Sequence, residues 1–309
     1  MEFGLMVEPQ FGGSYAELRD LARWAEEQDL DVFARSDHFL NQGESAPSTD
    51  ALTTYGGLAE ATDSIQLAVL VTPLTFRHPA LIAKTAATLD EMSGGRFALG
   101  VGTGWMQSEH DAFGLDLPPL AERFDRLGET LAYLHSAFHS NTGFEGSYYG
   151  LDPLDVLPRP INMPIVVGGG GPRKTPTYAG RFADEYNLFV TDRATLGDRI
   201  RVMRSAAAAA GRDPDTIKVS LMGPAVVAPD ETTYRAMLER RGARRDQTAD
   251  EYEAFLRDLN IPHGTPDQAR TSIEALQSIG ITRYYVQSFR DLGSIDTAGL
   301  AVAFSILTS

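Results

Sequence analysis

Short apolar segments alternate with longer amphipathic segments along nearly the whole chain. The short segments are hydrophobic throughout, which is typical of parallel strands that are buried on both faces of a sheet. We predict eight such strands, at residues 3–7, 32–35, 65–70, 97–101, 165–167, 185–190, 218–222 and 283–287. The periodicity of the longer segments predicts helices at residues 16–28, 79–92, 120–138, 195–210, 232–241 and 266–279.

Eight strand–helix units in 309 residues favour a closed (β/α)8 barrel, the TIM-barrel fold, over a doubly wound open sheet. We expect this barrel to form a single domain over residues 1–309. Two segments do not follow the alternation, residues 140–163 and the charge-rich residues 243–263. We interpret both as insertions at the C-terminal face of the barrel, and the second as a lid over the barrel mouth.

The composition is that of an ordinary globular protein, with 43% hydrophobic and 22% charged residues. The formal net charge is −15, so the chain as a whole will not attract nucleic acid or an anionic membrane. The absence of cysteine excludes disulfides, thiolate metal sites and cysteine nucleophiles. No apolar run approaches membrane-spanning length and the first residues lack the features of a signal peptide, so we expect a cytoplasmic protein.

Four consecutive glycines directly follow the fifth predicted strand: Gly168, Gly169, Gly170 and Gly171. The residues after them include Arg173 and Lys174 and begin a further predicted helix. Glycines leave main-chain N–H groups uncovered, and the N-terminus of a helix adds more N–H groups and the positive end of its dipole. We therefore predict an anion-binding site here, most simply for a phosphate. The alternative is a glycine-rich turn that binds no ligand.

Polar and titratable residues also follow the second, third and fourth predicted strands. They are Asp37 and His38, then Arg77 and His78, then Thr103, Gly104 and Trp105 with Glu109, His110 and Asp111 beyond. The carboxyl ends of barrel strands share one face, where the sites of such barrels lie. We therefore expect these residues to surround a site that holds an aromatic ring in the barrel mouth and a phosphate at its edge.

Other chemistries have weaker support in the motifs. A metal-dependent hydrolase would use the histidines and aspartates that follow the strands, but no H-x-H or H-E-x-x-H spacing occurs, and we predict no metal site. The sequence around Gly102 has Gln107 where a dinucleotide-binding loop needs its third glycine, and no G-x-S-x-G motif marks a serine nucleophile. A barrel isomerase or aldolase would need Lys84 at a strand end, whereas Lys84 lies within a predicted helix.

Several longer motifs resemble those of the luciferase-like monooxygenase superfamily, a set of (β/α)8 barrels. They are Ser36-Asp37-His38, Phe76-Arg77-His78-Pro79-Ala80, Ser93-Gly94-Gly95-Arg96-Phe97, Gly100-Val101-Gly102-Thr103-Gly104-Trp105, the four glycines with Ala183-Asp184-Glu185-Tyr186-Asn187, and Gly264-Thr265-Pro266. The resemblance extends over nearly the whole chain, and the fold it implies is bacterial-luciferase-like. The combination is most similar to the branch that uses the deazaflavin coenzyme F420 rather than FMN.

The resemblance implies where a coenzyme would lie. In the superfamily a non-prolyl cis peptide at the end of the third strand bulges against the back of the ring system, and here it would join Leu70 and Val71. Asp37 and His38 would lie near the reactive edge of the ring. The other implied contacts are Thr103, Gly104 and Trp105 along the side of the ring, and Gly168, Gly169, Gly170, Gly171, Arg173 and Lys174 around the phosphate.

The implied function is hydride transfer between C5 of F420 and a small organic substrate. Asp37, His38 and Glu109 are the candidate catalytic residues. His38 is the first choice as general acid, because an imidazole exchanges protons near neutral pH, and Glu109 is the second. Some sugar-phosphate dehydrogenases of this branch have a glutamate where this chain has Trp105, which argues against a sugar-phosphate activity.

Two alternatives remain open on the same fold. One is an FMN-dependent monooxygenase that receives reduced flavin from a separate reductase, and the other is a non-catalytic flavin- or deazaflavin-binding protein. Family analogy predicts a homodimer, and a separate flavin or F420 reductase is a candidate partner.

Overall fold

The computed structural model describes residues 1–309 and contains twelve strands. In chain order they are β1 (Glu2–Val7), β2 (Val32–Arg35), β3 (Gln66–Pro73), β4 (Phe97–Gly102), β5 (Phe144–Glu145), β6 (Gly150–Leu151), β7 (Ile165–Gly168), β8 (Glu185–Phe189), β9 (Lys218–Gly223), β10 (Val226–Val227), β11 (His263–Gly264) and β12 (Arg283–Ser288). Eight of them close into a parallel barrel in the order β1, β12, β9, β8, β7, β4, β3, β2. The structure therefore confirms the predicted (β/α)8 barrel.

Eleven α-helices surround the barrel or lie beside it. They are α1 (Tyr15–Glu27), α2 (Ala51–Ala61), α3 (Pro79–Met92), α4 (Gln107–Phe113), α5 (Leu120–His135), α6 (Lys174–Phe182), α7 (Arg193–Ala209), α8 (Glu231–Ala243), α9 (Ala249–Asp258), α10 (Pro266–Gln277) and α11 (Thr297–Thr308). None of these helices has both the length and the apolar character needed to cross a lipid bilayer.

The barrel strands are predominantly apolar because both of their faces are buried. On β1, Leu5 and Val7 join a cluster of 57 buried residues that lies between the barrel and its helices. Met6, which points the other way, joins a cluster of nine buried residues inside the barrel. Alternate residues of each strand therefore fill two separate cores, which is how a barrel of this kind is packed.

An ion-pair network fills the barrel at the amino ends of its strands. Arg283 on β12 donates to Glu185 on β8 at 2.6 Å and to Glu2 on β1 at 2.6 Å, and its side chain is almost fully buried. Tyr285 donates to the other oxygen of Glu185 at 3.0 Å. Buried side chains therefore close this end of the barrel.

All eight predicted barrel strands are present, and their ends differ from the predicted ones by a few residues. The largest difference is at β3, which continues to Pro73, with an irregular pairing to β4 between Val69 and Thr72. The predicted helices are present as well, but α2, α4, α9 and α11 were not predicted. The first helix begins at Tyr15, where Ser14 and Glu17 form a reciprocal capping box.

The two segments interpreted as insertions have simple structures. Residues 140–163 contain the small antiparallel hairpin of β5 and β6. Residues 243–263 contain α9, whose buried residues Tyr252 and Leu256 pack with Tyr234 and Leu238 of α8 in a small core of their own. Whether either segment acts as a lid stays a prediction.

Candidate active site

A cavity of about 480 Å³ opens at the carboxyl ends of the barrel strands. Residues from the ends of β1, β2, β3, β4, β7, β8, β9 and β12 line it, so every barrel strand contributes to its wall. This size and position are typical of small-molecule sites in barrels of this type. Neither residues 140–163 nor residues 243–263 contribute to the lining.

One wall of the cavity is built from a valine packed against glycines. The peptide bond between Leu70 and Val71 is cis, at the position that the family resemblance predicts. The Val71 side chain lies over Gly100, Gly102 and Gly168, where an added Cβ atom would stand 2.9, 2.7 and 2.8 Å from its methyl carbons. Only glycine allows this close approach, and the result is a wall nearly free of protruding side chains.

His38 and Glu109 form a hydrogen-bonded pair beside this wall. The Nδ1 atom of His38 lies 3.1 Å from Oε2 of Glu109. Glu109 is buried and also accepts hydrogen bonds from the N–H groups of Phe39 and Leu40. His38 lines the cavity, whereas Glu109 does not. Because Nδ1 is engaged by Glu109, Nε2 is the ring nitrogen that remains for a molecule in the cavity.

The charges around His38 favour its protonated form. Burial opposes protonation, but the hydrogen bond and the negative charge of Glu109, together with the charges of Glu8 and Asp37, raise the pKa of His38 above its ordinary value. Burial likewise disfavours the ionised form of Glu109, yet its hydrogen bonds to His38, Phe39 and Leu40 lower its pKa. The pair can therefore hold an imidazolium next to a carboxylate.

Asp37 is not in the cavity, although it was predicted beside the ring. It is buried, and its Oδ2 atom accepts a hydrogen bond from Arg77 at 2.5 Å. Arg77 also pairs with Asp50, the N-cap residue of α2, and donates to Thr72 at 2.9 Å. The predicted location of Asp37 therefore differs from the structure, which places its carboxylate in an ion-pair network behind the cavity wall.

The four glycines lie at the end of β7, but only part of the predicted anion-binding site reaches the cavity. Gly168, Gly169 and Gly170 line it, whereas Gly171, Arg173 and Lys174 do not. The main-chain N–H groups of Gly170, Gly171 and Arg173 donate to no backbone carbonyl. Lys174 is already paired with Asp125 at 3.0 Å, whereas the exposed Arg173 makes no ion pair.

The predicted aromatic side of the site is present in the cavity. Thr103, Gly104 and Trp105 all line it. Trp105 is 62% exposed, and its ring meets that of His38 edge to face at a centroid distance of 5.6 Å. A large aromatic side chain is therefore available at the mouth to cover a bound molecule and to exclude water.

The other two histidines named above have structural partners. His78 is the N-cap residue of α3, where its ring accepts a hydrogen bond from the N–H group of Ala80. The His110 ring is held by the Met106 carbonyl at 2.8 Å and by the Thr75 hydroxyl at 2.7 Å.

Sequence reasoning missed a chain of polar residues on the far side of the cavity. Gln10 and Gln287 donate to the two carboxylate oxygens of Glu8 at 2.7 and 2.5 Å, and Ser36 donates to Gln10 at 2.8 Å. All four residues line the cavity. Glu8 and Gln10 follow β1, Ser36 follows β2, and Gln287 lies near the end of β12. Their positions in the sequence could have indicated that they lie near the mouth, because the carboxyl ends of all barrel strands meet at one face.

Comparison with known proteins adds a family and several relatives. The family model described as luciferase-like monooxygenase matches residues 1–283. An F420-dependent glucose-6-phosphate dehydrogenase of Nakamurella multipartita is 39% identical over 183 residues, which are 57% of this chain and 52% of that protein. The pyrimidine monooxygenase RutA of Allorhizobium ampelinum is 33% identical over 172 residues, 53% of this chain and 46% of that protein. The chain spans about half the length of these curated relatives.

Solved structures show the same fold. An F420-dependent secondary alcohol dehydrogenase in complex with an F420-acetone adduct matches with a TM-score of 0.77 and 22% identity, over 99% of this chain and 96% of that one. A long-chain alkane monooxygenase, LadA, matches with a TM-score of 0.76 and 16% identity, over 100% of this chain and 89% of that one. At such low identities the likeness establishes the barrel and nothing about the substrate.

Proposed function

The chain belongs to the luciferase-like monooxygenase family, and on this premise we propose that it is an F420-dependent oxidoreductase acting on a small organic substrate. The reaction would transfer a hydride between C5 of the deazaflavin and a carbon atom of that substrate. Support comes from relatives named as F420-dependent dehydrogenases, which share up to 40% identity with parts of this chain.

The observation that carries the proposal is the joint position of Val71 and His38 in one cavity. A flat ring system needs a wall without protruding side chains, and the glycines beneath Val71 provide one. The free main-chain N–H groups of Gly170 and Gly171 suit a phosphate near this wall, next to the N-terminus of α6. The residues present therefore fit a deazaflavin, which would supply the hydride chemistry when bound.

The chain itself would bind the substrate, exclude water and move one proton. In the oxidation of an alcohol, Nε2 of His38 would accept the hydroxyl proton, and in the reverse reaction it would return that proton to the carbonyl oxygen. Glu109 does not line the cavity, so its role is to hold the imidazole in place and to stabilise its protonated form. Trp105 would cover the reacting atoms.

An FMN-dependent monooxygenase is the second candidate, and the RutA relative favours it. A titration of the coenzyme-free protein with F420 and with FMN, followed by absorbance and fluorescence, decides between them. We expect F420 to bind at least tenfold more tightly than FMN. Tighter binding of FMN would support the monooxygenase and a separate reductase as partner, and binding of neither would refute both.

A further inference from the structure

The two sides of the cavity differ in chemistry. β7 and β4, with their glycines, form one side of the barrel, whereas β1 and its neighbour β12 lie on the opposite side. That opposite side presents Glu8, Gln10 and Gln287 to the cavity. If the coenzyme ring lies against Val71, the polar side is the one that a substrate would meet.

Glu8 is a carboxylate that forms no ion pair with a lysine or an arginine. It is 5% exposed, and the groups that donate to it are the neutral amides of Gln10 and Gln287. The cavity lining contains no lysine and no arginine, so His38 is its one basic residue. Amide donors bind a carboxylate but do not cancel its charge, and each of its oxygens keeps a further lone pair for another donor.

An apolar surface lies beside this carboxylate. Phe11 and Phe289 line the same cavity and pack edge to face at a centroid distance of 6.1 Å. Phe289 is 55% exposed and Phe189, also in the lining, is 49% exposed. Aromatic surface next to a polar acceptor suits a molecule with a hydrocarbon body and a hydroxyl group.

We propose that Glu8 is a specificity-determining residue that accepts a hydrogen bond from a hydroxyl group of an uncharged substrate and excludes phosphorylated substrates. This inference rests on the proposed function, since it assigns the substrate side of the same site. A hydrogen bond from a hydroxyl to a carboxylate is stronger than one between neutral groups. A phosphate monoester would bring its own negative charge next to this carboxylate, and the cavity lining offers no lysine or arginine to pair with it.

The consequence is a difference in substrate from the relatives named as glucose-6-phosphate dehydrogenases. Those proteins act on a phosphorylated sugar according to their names, whereas this cavity lacks any lysine or arginine to bind such a group. The chain therefore takes uncharged molecules that keep a hydroxyl group available to donate to Glu8.

Calorimetric binding of cyclohexanol and of cyclohexyl phosphate tests the assignment. The protein is loaded with reduced F420, which cannot accept a hydride from an alcohol, so binding is measured without turnover. We expect cyclohexanol to bind at least tenfold more tightly than its phosphate ester. Tighter binding of the phosphate ester by the unmodified protein would overturn the proposal.

Two substitutions of Glu8 distinguish the effect of its negative charge from the effect of its hydrogen bond to the substrate. Glu8→Gln should weaken cyclohexanol binding by about tenfold, since a hydrogen bond to a charged group is lost, and should reduce the discrimination against the phosphate ester. Glu8→Asp should weaken cyclohexanol binding but keep that discrimination. Glu60→Gln, an equal charge change on the exposed face of α2, should behave as the unmodified protein. Unchanged discrimination in Glu8→Gln would refute the role of Glu8.

Coenzyme binding is measured separately, by the fluorescence of F420. If F420 binds and the selectivity is absent, the inference about Glu8 fails while the proposed function stands. If F420 does not bind, the proposed function fails, and the same two probes titrated into the coenzyme-free protein still test whether Glu8 sets the charge preference of the cavity.

Discussion

The Nδ1 atom of His38 lies 3.1 Å from Oε2 of Glu109, and this contact links a residue in the cavity to a carboxylate buried behind it. His38 lies shortly after the end of β2, and Glu109 lies 71 positions later in the first turn of α4. A histidine oriented in this way has one ring nitrogen fixed and the other free, which is the arrangement that a proton-transfer residue needs.

Replacement of Glu109 by glutamine should lower the pKa of His38, because the charge that stabilises the imidazolium is lost. We expect turnover with F420 to fall by about tenfold to a hundredfold, since orientation is kept only in part. An NMR titration of the His38 ring and the pH profile of kcat/KM measure the two effects. Glu91→Gln, on the exposed face of α3, is the control and should change neither.

Replacement of His38 by alanine should leave F420 affinity within a few-fold of the unmodified protein while turnover falls by about 10² to 10⁴. The reason is that in the proposed reaction His38 would handle the proton, whereas Val71 and the glycines beneath it would hold the ring. Fluorescence titration and steady-state kinetics measure the two quantities. An unmodified protein that binds F420 but turns over no alcohol or carbonyl compound would instead favour a non-catalytic carrier.

The His38–Glu109 pair should also make folding stability depend on pH. The raised pKa of His38 stabilises the fold below its unfolded value of 6.5, and this stabilisation is lost as the pH rises through the folded value. The lowered pKa of Glu109 stabilises the fold above its unfolded value of 4.5, and this is lost as the pH falls through the folded value.

The pair should therefore contribute most between about pH 4.5 and 6.5. Urea unfolding of the unmodified protein and of His38→Gln, measured from pH 4 to 9, gives the difference in the free energy of unfolding. We expect that difference to be largest in this window and to shrink on both sides, with each unit of pKa shift worth about 1.4 kcal/mol. A difference that is constant with pH would contradict the pairing.

Replacement of Gly102 by alanine should disturb the wall beneath Val71, because the new Cβ atom would stand 2.7 Å from a Val71 methyl carbon. We expect F420 affinity to fall at least tenfold and stability to fall by about 1–3 kcal/mol. Gly197→Ala in α7 is the matched control, since nothing lies within 4 Å of its Cβ position. Equal effects of the two substitutions on F420 affinity would argue against a ring on this wall.

Arg173 and Lys174 should contribute unequally to coenzyme binding, because Lys174 is already paired with Asp125 and Arg173 is not. Arg173→Ala should raise the Kd for F420 by about tenfold at low salt, and Lys174→Ala by less. The difference should shrink as salt screens the exposed charge. Fluorescence titrations at two ionic strengths measure both variants, and a larger effect of Lys174→Ala would place the anion elsewhere.

The barrel could be predicted from the sequence because burial on both faces leaves the strands predominantly apolar. Two of the missed helices lack the amphipathic pattern that predicts a helix. In α11 nearly every position from Thr297 to Thr308 is apolar or small, so it shows no polar face, and α2 contains Gly56 and Gly57, which lower its helix propensity.

The site was predicted less completely, for a geometric reason. Neighbouring residues in extended chain point in opposite directions, so a cavity that receives His38 turns Asp37 away. Sequence order placed both at the mouth but did not give the direction of either side chain. The positions of Glu8 and Gln287 at the ends of the first and last barrel strands place them near the mouth, but a single polar residue there does not indicate whether it faces the cavity or solvent.

A crystal structure of the protein with F420 tests the central claim most directly. The account predicts that the deazaflavin ring packs against Val71 with His38 at its reactive edge, and that its phosphate accepts hydrogen bonds from the main-chain N–H groups of Gly170 and Gly171. A ring bound away from Val71, or a phosphate that leaves these N–H groups without an acceptor, would contradict it.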